Sequence, residues 1–253
     1  MAFKRGGRGT GSLWRWILSA GLVAALGCFG ALRPPSVPMA TTSLAEGTDS
    51  SCLVVLLPGR ADRPVAFSRE GFAEGGVWGC EVMAVDAHLG YYRSRTVVDR
   101  LRQDVVLPAR ARGFEDVWLA GVSLGGLGSL LYAKNHPQDL AGVFAIAPFL
   151  GEAKLLDEIR SQGGVKAWSP TVTSGDESLE GLWAWLQEVS EGSPAPPLFL
   201  AFGADDAFAD GGELLAEILP ADQTLRVAGG HDWATWRLLW RRFLSLAGAR
   251  SIP

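Results

Sequence analysis

The chain reads as an α/β protein: a mainly parallel sheet with helices on both faces. Short apolar runs ending in turn residues alternate along most of its length with longer stretches of helical periodicity. Within the runs hydrophobicity is continuous rather than alternating, as expected of strands covered on both sides. A third observation is the segment Gly121-Val-Ser-Leu-Gly125, where a run passes directly into a helical pattern through a sharp turn.

The elements follow in order. Residues 52–57 form the first strong run and stop at Pro58-Gly59, and residues 81–85 stop at Asp86. Residues 117–120 end at the turn around Ser123, residues 142–147 at Pro148, residues 198–202 at Gly203, and residues 224–227 just before Gly229-Gly230. Helical patterns occupy 96–112, 125–135, 211–219 and 233–247. Strand, helix, strand in succession calls for parallel neighbours joined by crossovers. One region departs from this rhythm. Residues 151–197 hold two helical patterns, 152–162 and 177–190, with no strand between them. This insertion is expected as a small helical lid over the C-terminal edge of the sheet. Its Trp168, Trp183 and Trp185 either pack it onto the core or line a pocket for an apolar group. There are no internal repeats.

The 253 residues are 48% apolar and 20% charged, a globular composition. One domain of this size buries a substantial core. The net charge of −4 conceals an asymmetry. Lys4, Arg5, Arg8 and Arg15 are the only charges in the first 28 residues, and the first acid is Glu46. Setting those four aside leaves 19 of the 23 basic side chains against 27 acids, a net of −8. So acidic a body gains nothing from phosphate counterion release, which argues against nucleic-acid binding.

The basic start leads into an uncharged stretch from Trp16 to Leu32, the pattern of a secretory signal. Its end, Ala24-Ala-Leu-Gly-Cys28, resembles a bacterial lipoprotein signal, which implies a lipid on Cys28 and a membrane tether. An uncleaved anchor is the rival reading, because the uncharged run is just long enough to span a bilayer. A start at Met39 would instead leave the protein cytoplasmic. The expected organisation is a signal peptide or anchor over 1–28, a flexible linker over 29–51 and a folded domain over 52–250, in an exported, periplasmic or membrane-tethered protein. Cys28, Cys52 and Cys80 show no metal-ligand spacing. Cys52 and Cys80 each precede a strand end by six residues, so on neighbouring parallel strands they stand at one height. A disulfide and two buried thiols both fit that placement.

A serine hydroxyl becomes a useful nucleophile only when a base takes its proton, and the base needs an acid to orient it. Ser123 lies in the chain's one Gly-x-Ser-x-Gly, where Gly121 and Gly125 spare the turn two clashing Cβ atoms. Three histidines are available. His136 sits at a helix end before Pro137. His88 follows the strand ending at Asp86 and reads as structural. His231 follows the last strand, behind two glycines that let a loop carry it over the sheet edge, and is the expected base. The loop after the penultimate strand offers Asp205 and Asp206 as the acid, with Asp206 preferred. Their order along the chain, Ser123, Asp206, His231, differs from both serine-protease orders.

Residues 52–247 are similar to the α/β-hydrolases. Gly-Val-Ser-Leu-Gly-Gly at 121–126 and Gly-Gly-His-Asp-Trp-Ala-Thr-Trp-Arg at 229–237 resemble the esterase branch that includes feruloyl and enterochelin esterases and S-formylglutathione hydrolase. The resemblance implies the α/β-hydrolase fold, hydrolysis of carboxylic esters or thioesters through an acyl-enzyme, and no metal or organic cofactor. It also implies an oxyanion hole of two backbone N–H groups. Leu124, after the nucleophile, supplies one. The loop at Pro58-Gly59 supplies the other, assigned to Arg60, although many relatives carry His-Gly there. Tyr91, Tyr92 and Arg93 stand at the same sheet edge without an assigned role. An acyltransferase with the same triad and a non-catalytic tethered binding protein on this scaffold are the alternatives, with peptidase activity a lesser one.

Overall fold

The computed structural model describes residues 33–74 and 77–249. Seven strands form one sheet: β1 (Thr41–Ala45), β2 (Asp49–Leu57), β3 (Cys80–Val85), β4 (Asp116–Val122), β5 (Gly142–Ile146), β6 (Leu198–Gly203) and β7 (Thr224–Val227). Their spatial order is β1-β3-β2-β4-β5-β6-β7. All neighbours are parallel except β1, which runs antiparallel to β3 at the edge. The six predicted runs are thus six adjacent parallel strands. The chain leaves β2 for β3 on one side and then returns to β4 on the other. That reversal opens a crevice above the C-terminal ends of β2 and β4, where open α/β sheets hold their ligands.

Both faces of the sheet are buried, which explains the unbroken hydrophobicity of the strands. Leu53, Val55 and Leu57 of β2 face one core cluster, while Cys52, Val54 and Leu56 face the other. The first cluster is covered by α3 (residues 97–111), α4 (Leu124–Asn135), α5 (Ala153–Ser161), α6 (Leu179–Ser190) and α7 (Ala209–Ala216). The second is covered by the short α1 (Val65–Arg69) and by α8 (Trp233–Ala249), whose Trp236, Trp240 and Phe243 lie against the strands. One further short helix, α2 (Leu89–Arg93), follows β3. Helix α4 is buried nearly all round, as its run of Leu, Gly and Ala requires. In α3 the middle turn, Arg102–Val106, is a π-helix ending two residues before Pro108, whose ring and missing N–H upset the regular ladder four residues back. Among the described residues no helix is long and apolar enough to cross a membrane. The expected signal or anchor over 1–28, with Cys28, lies outside the described residues.

Residues 33–51, expected within a flexible linker, instead pack on the sheet. Thr41–Ala45 form the edge strand β1, and β2 begins at Asp49. Upstream, Arg33 pairs with Asp86, the Ser36 N–H donates to Tyr91 Oη at 3.1 Å, and the Met39 N–H donates to Asp104 at 2.8 Å while its side chain enters the core. The Ser/Thr-rich composition that suggested a tether belongs to a strand with a largely exposed face, where no apolar run is needed. Cys52 and Cys80 are joined by a disulfide with Cα atoms 4.6 Å apart, next to the β2–β3 pair Leu53–Glu81.

In the insertion over 151–197 the two helical patterns become α5 and α6. Trp168, Trp183 and Trp185 are all buried in the core cluster under α4. The Trp183 indole N–H donates to Leu150 O at 2.8 Å and that of Trp168 to Glu158 Oε1 at 3.3 Å. These hydrogen bonds satisfy the polar ends of rings that otherwise serve as packing.

Candidate active site

Ser123 stands between the last residue of β4 and the first of α4, at φ 54° and ψ −115°. A side chain in that region is strained and persists only where its surroundings enforce it. Here the Ser123 N–H donates to Ile146 O at 2.8 Å, and its carbonyl accepts from Phe149 N at 3.2 Å. The flanking glycines permit the close approach. A Cβ on Gly121 would run into the Gly125 carbonyl, and one on Gly125 would run into the carbonyls of Leu57 and Pro58 at the end of β2.

His231 lies in the loop between β7 and α8. Its Nε2 is 2.9 Å from Ser123 Oγ and its Nδ1 is 2.8 Å from Asp206 Oδ2. A carboxylate only accepts, so Nδ1 carries the proton and Nε2 is left to accept from the serine hydroxyl. Phe208 and Trp236 meet the imidazole edge to face, with ring centroids 4.7 and 4.9 Å away, and fix its plane. Asp206 is buried, 6% exposed, in the loop after β6, and also accepts from the Phe208 N–H at 2.7 Å. Such a buried carboxylate needs those donors. Asp205 is exposed and holds the other loop instead, accepting from Gly229 N at 3.3 Å and donating its own N–H to Gly229 O at 3.0 Å.

The other two histidines are elsewhere. His88 caps α2, its Nδ1 accepting from Gly90 N at 3.1 Å, and burial holds its pKa below the ordinary value. His136 ends α4 with its ring against Tyr132. Tyr91 is buried and bonds Ser36, while the hydroxyl of Tyr92 packs over Gly128, away from the serine.

A cavity of about 560 Å³ opens over Ser123 and His231. Gly59, Arg60 and Leu124 line it as well. Leu124 is the first residue of α4, so its N–H has no carbonyl within the helix to bond. Arg60 follows β2 in a turn closed by the Asp62 N–H on Gly59 O at 3.1 Å. The remaining walls are largely apolar: Leu89, Phe149, Phe208 and Trp236. None of the lining residues comes from 151–197. Sequence reasoning missed Asp62, Phe149, Phe208 and Trp236. Phe208 follows the Asp pair and Trp236 the His231 loop by only a few residues, and that proximity is the one signal that pointed to them.

No family profile matches the chain, and no curated protein does. Solved structures do. A fluorophosphonate-binding serine hydrolase of Staphylococcus aureus matches at 17% identity over 82% of this chain and 98% of its own, with a TM-score of 0.54. The S-formylglutathione hydrolase of the same organism matches at 16% over 84% and 97%, with a TM-score of 0.54. A ferulic acid esterase matches at 13% over 82% and 97%, with a TM-score of 0.51. The chain has the α/β-hydrolase fold.

Proposed function

On this α/β-hydrolase fold we propose a serine hydrolase that cleaves carboxylic esters, thioesters included, through an acyl-enzyme. The observation that carries the reading is the relay of hydrogen bonds from Asp206 through His231 to Ser123, 2.8 and 2.9 Å long, at the floor of an apolar cavity. In this reading Ser123 Oγ attacks the carbonyl carbon while His231 Nε2 takes its proton. Asp206 holds the tautomer and faces the imidazolium that forms. The N–H groups of Arg60 and Leu124 receive the oxyanion. The imidazolium then protonates the leaving alcohol or thiol, and water, deprotonated by the same imidazole, releases the acid. The structural neighbours named as serine hydrolases and esterases support this class.

The Cys52–Cys80 disulfide supports a place of action outside the reducing cytosol, in keeping with the export signal expected over 1–28. A panel of p-nitrophenyl esters of graded acyl length tests the proposal. The wild type turns over at least the short members, and Ser123→Ala lowers kcat by about 10⁴ or more. Equal turnover by the two proteins would sink it.

A further inference from the structure

Asp62 is a charged group inside the cavity that the proposed mechanism does not use. It follows the oxyanion loop, is half-buried, and lines the same space as Ser123 and His231. Its Oδ1 accepts from the indole N–H of Trp233 at 3.3 Å. Among the described residues its Oδ2 has no hydrogen-bond partner and Asp62 takes part in no ion pair. A methyl group placed on Gly59 would touch Asp62 Oδ2 at 3.0 Å and Ser123 Cβ at 3.7 Å. Those two contacts place Asp62 Oδ2 within about 7 Å of Ser123 Cβ.

A free carboxylate at that spot has consequences. Burial pushes its pKa up, against the pull of the Trp233 hydrogen bond and of Arg69 and His231, so the anion is only partly compensated where it sits. Arg69, one of the cations that act on it, is itself engaged with Glu70 at 2.9 Å. During turnover an oxyanion would form close by together with the His231 imidazolium, and of these two the oxyanion opposes the Asp62 carboxylate. A positive group on the substrate would relieve both the carboxylate and the oxyanion.

Apart from Arg60, an exposed cation among the lining residues, the rest of the cavity suits such a group. Phe149, Phe208 and Trp236 present aromatic rings to it, and ring faces attract an ammonium. The chain from residue 29 onward has a net charge of −8, which raises the local concentration of cations.

Resting on the serine-hydrolase reading, we infer that this cavity selects esters carrying a positively charged group, an ammonium or quaternary ammonium, and that Asp62 is the specificity-determining residue that receives it. The carboxylate supplies the charge, the rings supply the faces, and the Trp233 hydrogen bond fixes the carboxylate in place.

The test uses two p-nitrophenyl esters of one shape, 4-(trimethylammonio)butanoate and its uncharged isostere 5,5-dimethylhexanoate. Their ratio of kcat/KM is read in the wild type and in Asp62→Asn, whose amide oxygen keeps an acceptor for Trp233. The wild type is expected to favour the cationic ester roughly tenfold, and Asp62→Asn to bring that preference down to about threefold or less. Because each ratio is internal to one protein, partial loss of folded enzyme does not move it. An active wild type with no preference, or a preference unchanged in Asp62→Asn, overturns the inference and leaves the hydrolase reading standing. Turnover of neither ester above the Ser123→Ala background overturns the reading itself, and the inference with it.

Discussion

One methyl group added at Gly125 probes how the turn at Ser123 is held. The Cβ of Gly125→Ala would lie 2.8 Å from Pro58 O and nearer still to Leu57 O. Real Cβ atoms essentially never come within 3.0 Å of a neighbour, and both obstacles are backbone, which cannot swing aside. The start of α4 must therefore move off the end of β2 by on the order of 1 Å, carrying Ser123 and the Leu124 N–H away from Arg60. Overpacking of this kind costs about 1–3 kcal/mol of stability. In a domain of this size that lowers Tm by about 2–12 °C. Displacing reacting groups by about 1 Å costs on the order of 10²-fold in kcat. Gly175→Ala is the control, since its added methyl meets only Thr173 Oγ1, at 3.7 Å. Its expected effect is a gain of at most about 1 kcal/mol, through a less mobile unfolded chain. The assay is p-nitrophenyl butyrate turnover together with thermal melting. A Gly125→Ala protein with wild-type kcat and Tm would refute the packing argument.

Three further outcomes are expected. Asp206→Asn leaves the site's shape but offers His231 the wrong tautomer partner, so kcat falls by about 10⁴, whereas Asp205→Asn keeps an acceptor for Gly229 and most of the activity; steady-state kinetics showing the reverse would move the acid to Asp205. The Cys52–Cys80 link closes a loop with a separation of 28 residues, for which the chain-entropy relation gives about 3.6 kcal/mol. Reduction, or the double change Cys52→Ala/Cys80→Ala, should then lower Tm by about 7–14 °C, and two free thiols in the non-reduced mature protein would count against the bond. Burial holds the His88 imidazole below its ordinary value of 6.5, so the folded protein binds that proton less readily than the unfolded chain does. Its contribution is therefore complete above the unfolded pKa and is lost as pH falls below it. His136, also held low by burial, adds in the same sense. His88→Asn keeps a capping acceptor, so its urea midpoint should fall less than that of the wild type between about pH 7.5 and about pH 5, and equal falls would exclude a role for His88.

The parallel strands were legible because burial on both faces makes each an unbroken apolar run, and residues 224–227 match β7 residue for residue. β1 was not legible, because Thr41-Thr-Ser-Leu-Ala45 borders solvent and its pairing with β3 spans about 40 residues of chain. The five-residue helices α1 and α2 are too short to show a period, and each is defined by what it packs on. At the site, Ser123, Asp206 and His231 could be found because each lies within four residues after a strand end, and the sheet brings those ends together. Asp62 could not, since its place beside Ser123 depends on how the Gly59–Asp62 turn folds back and on a hydrogen bond from Trp233, 171 residues away. Phe149 and Phe208 escaped for the same reason, since loop shape turns them inward, while Trp236 sits in the first turn of α8 and faces the cavity because of how that helix packs.

In the proposed function Ser123 is a nucleophile activated by His231. Reaction of the folded protein with a fluorophosphonate probe, followed by mass analysis of the labelled peptide, tests it most directly. One adduct per chain is expected, on Ser123, and none on Ser123→Ala. A wild type that never labels, or a Ser123→Ala protein that labels equally well, would contradict it.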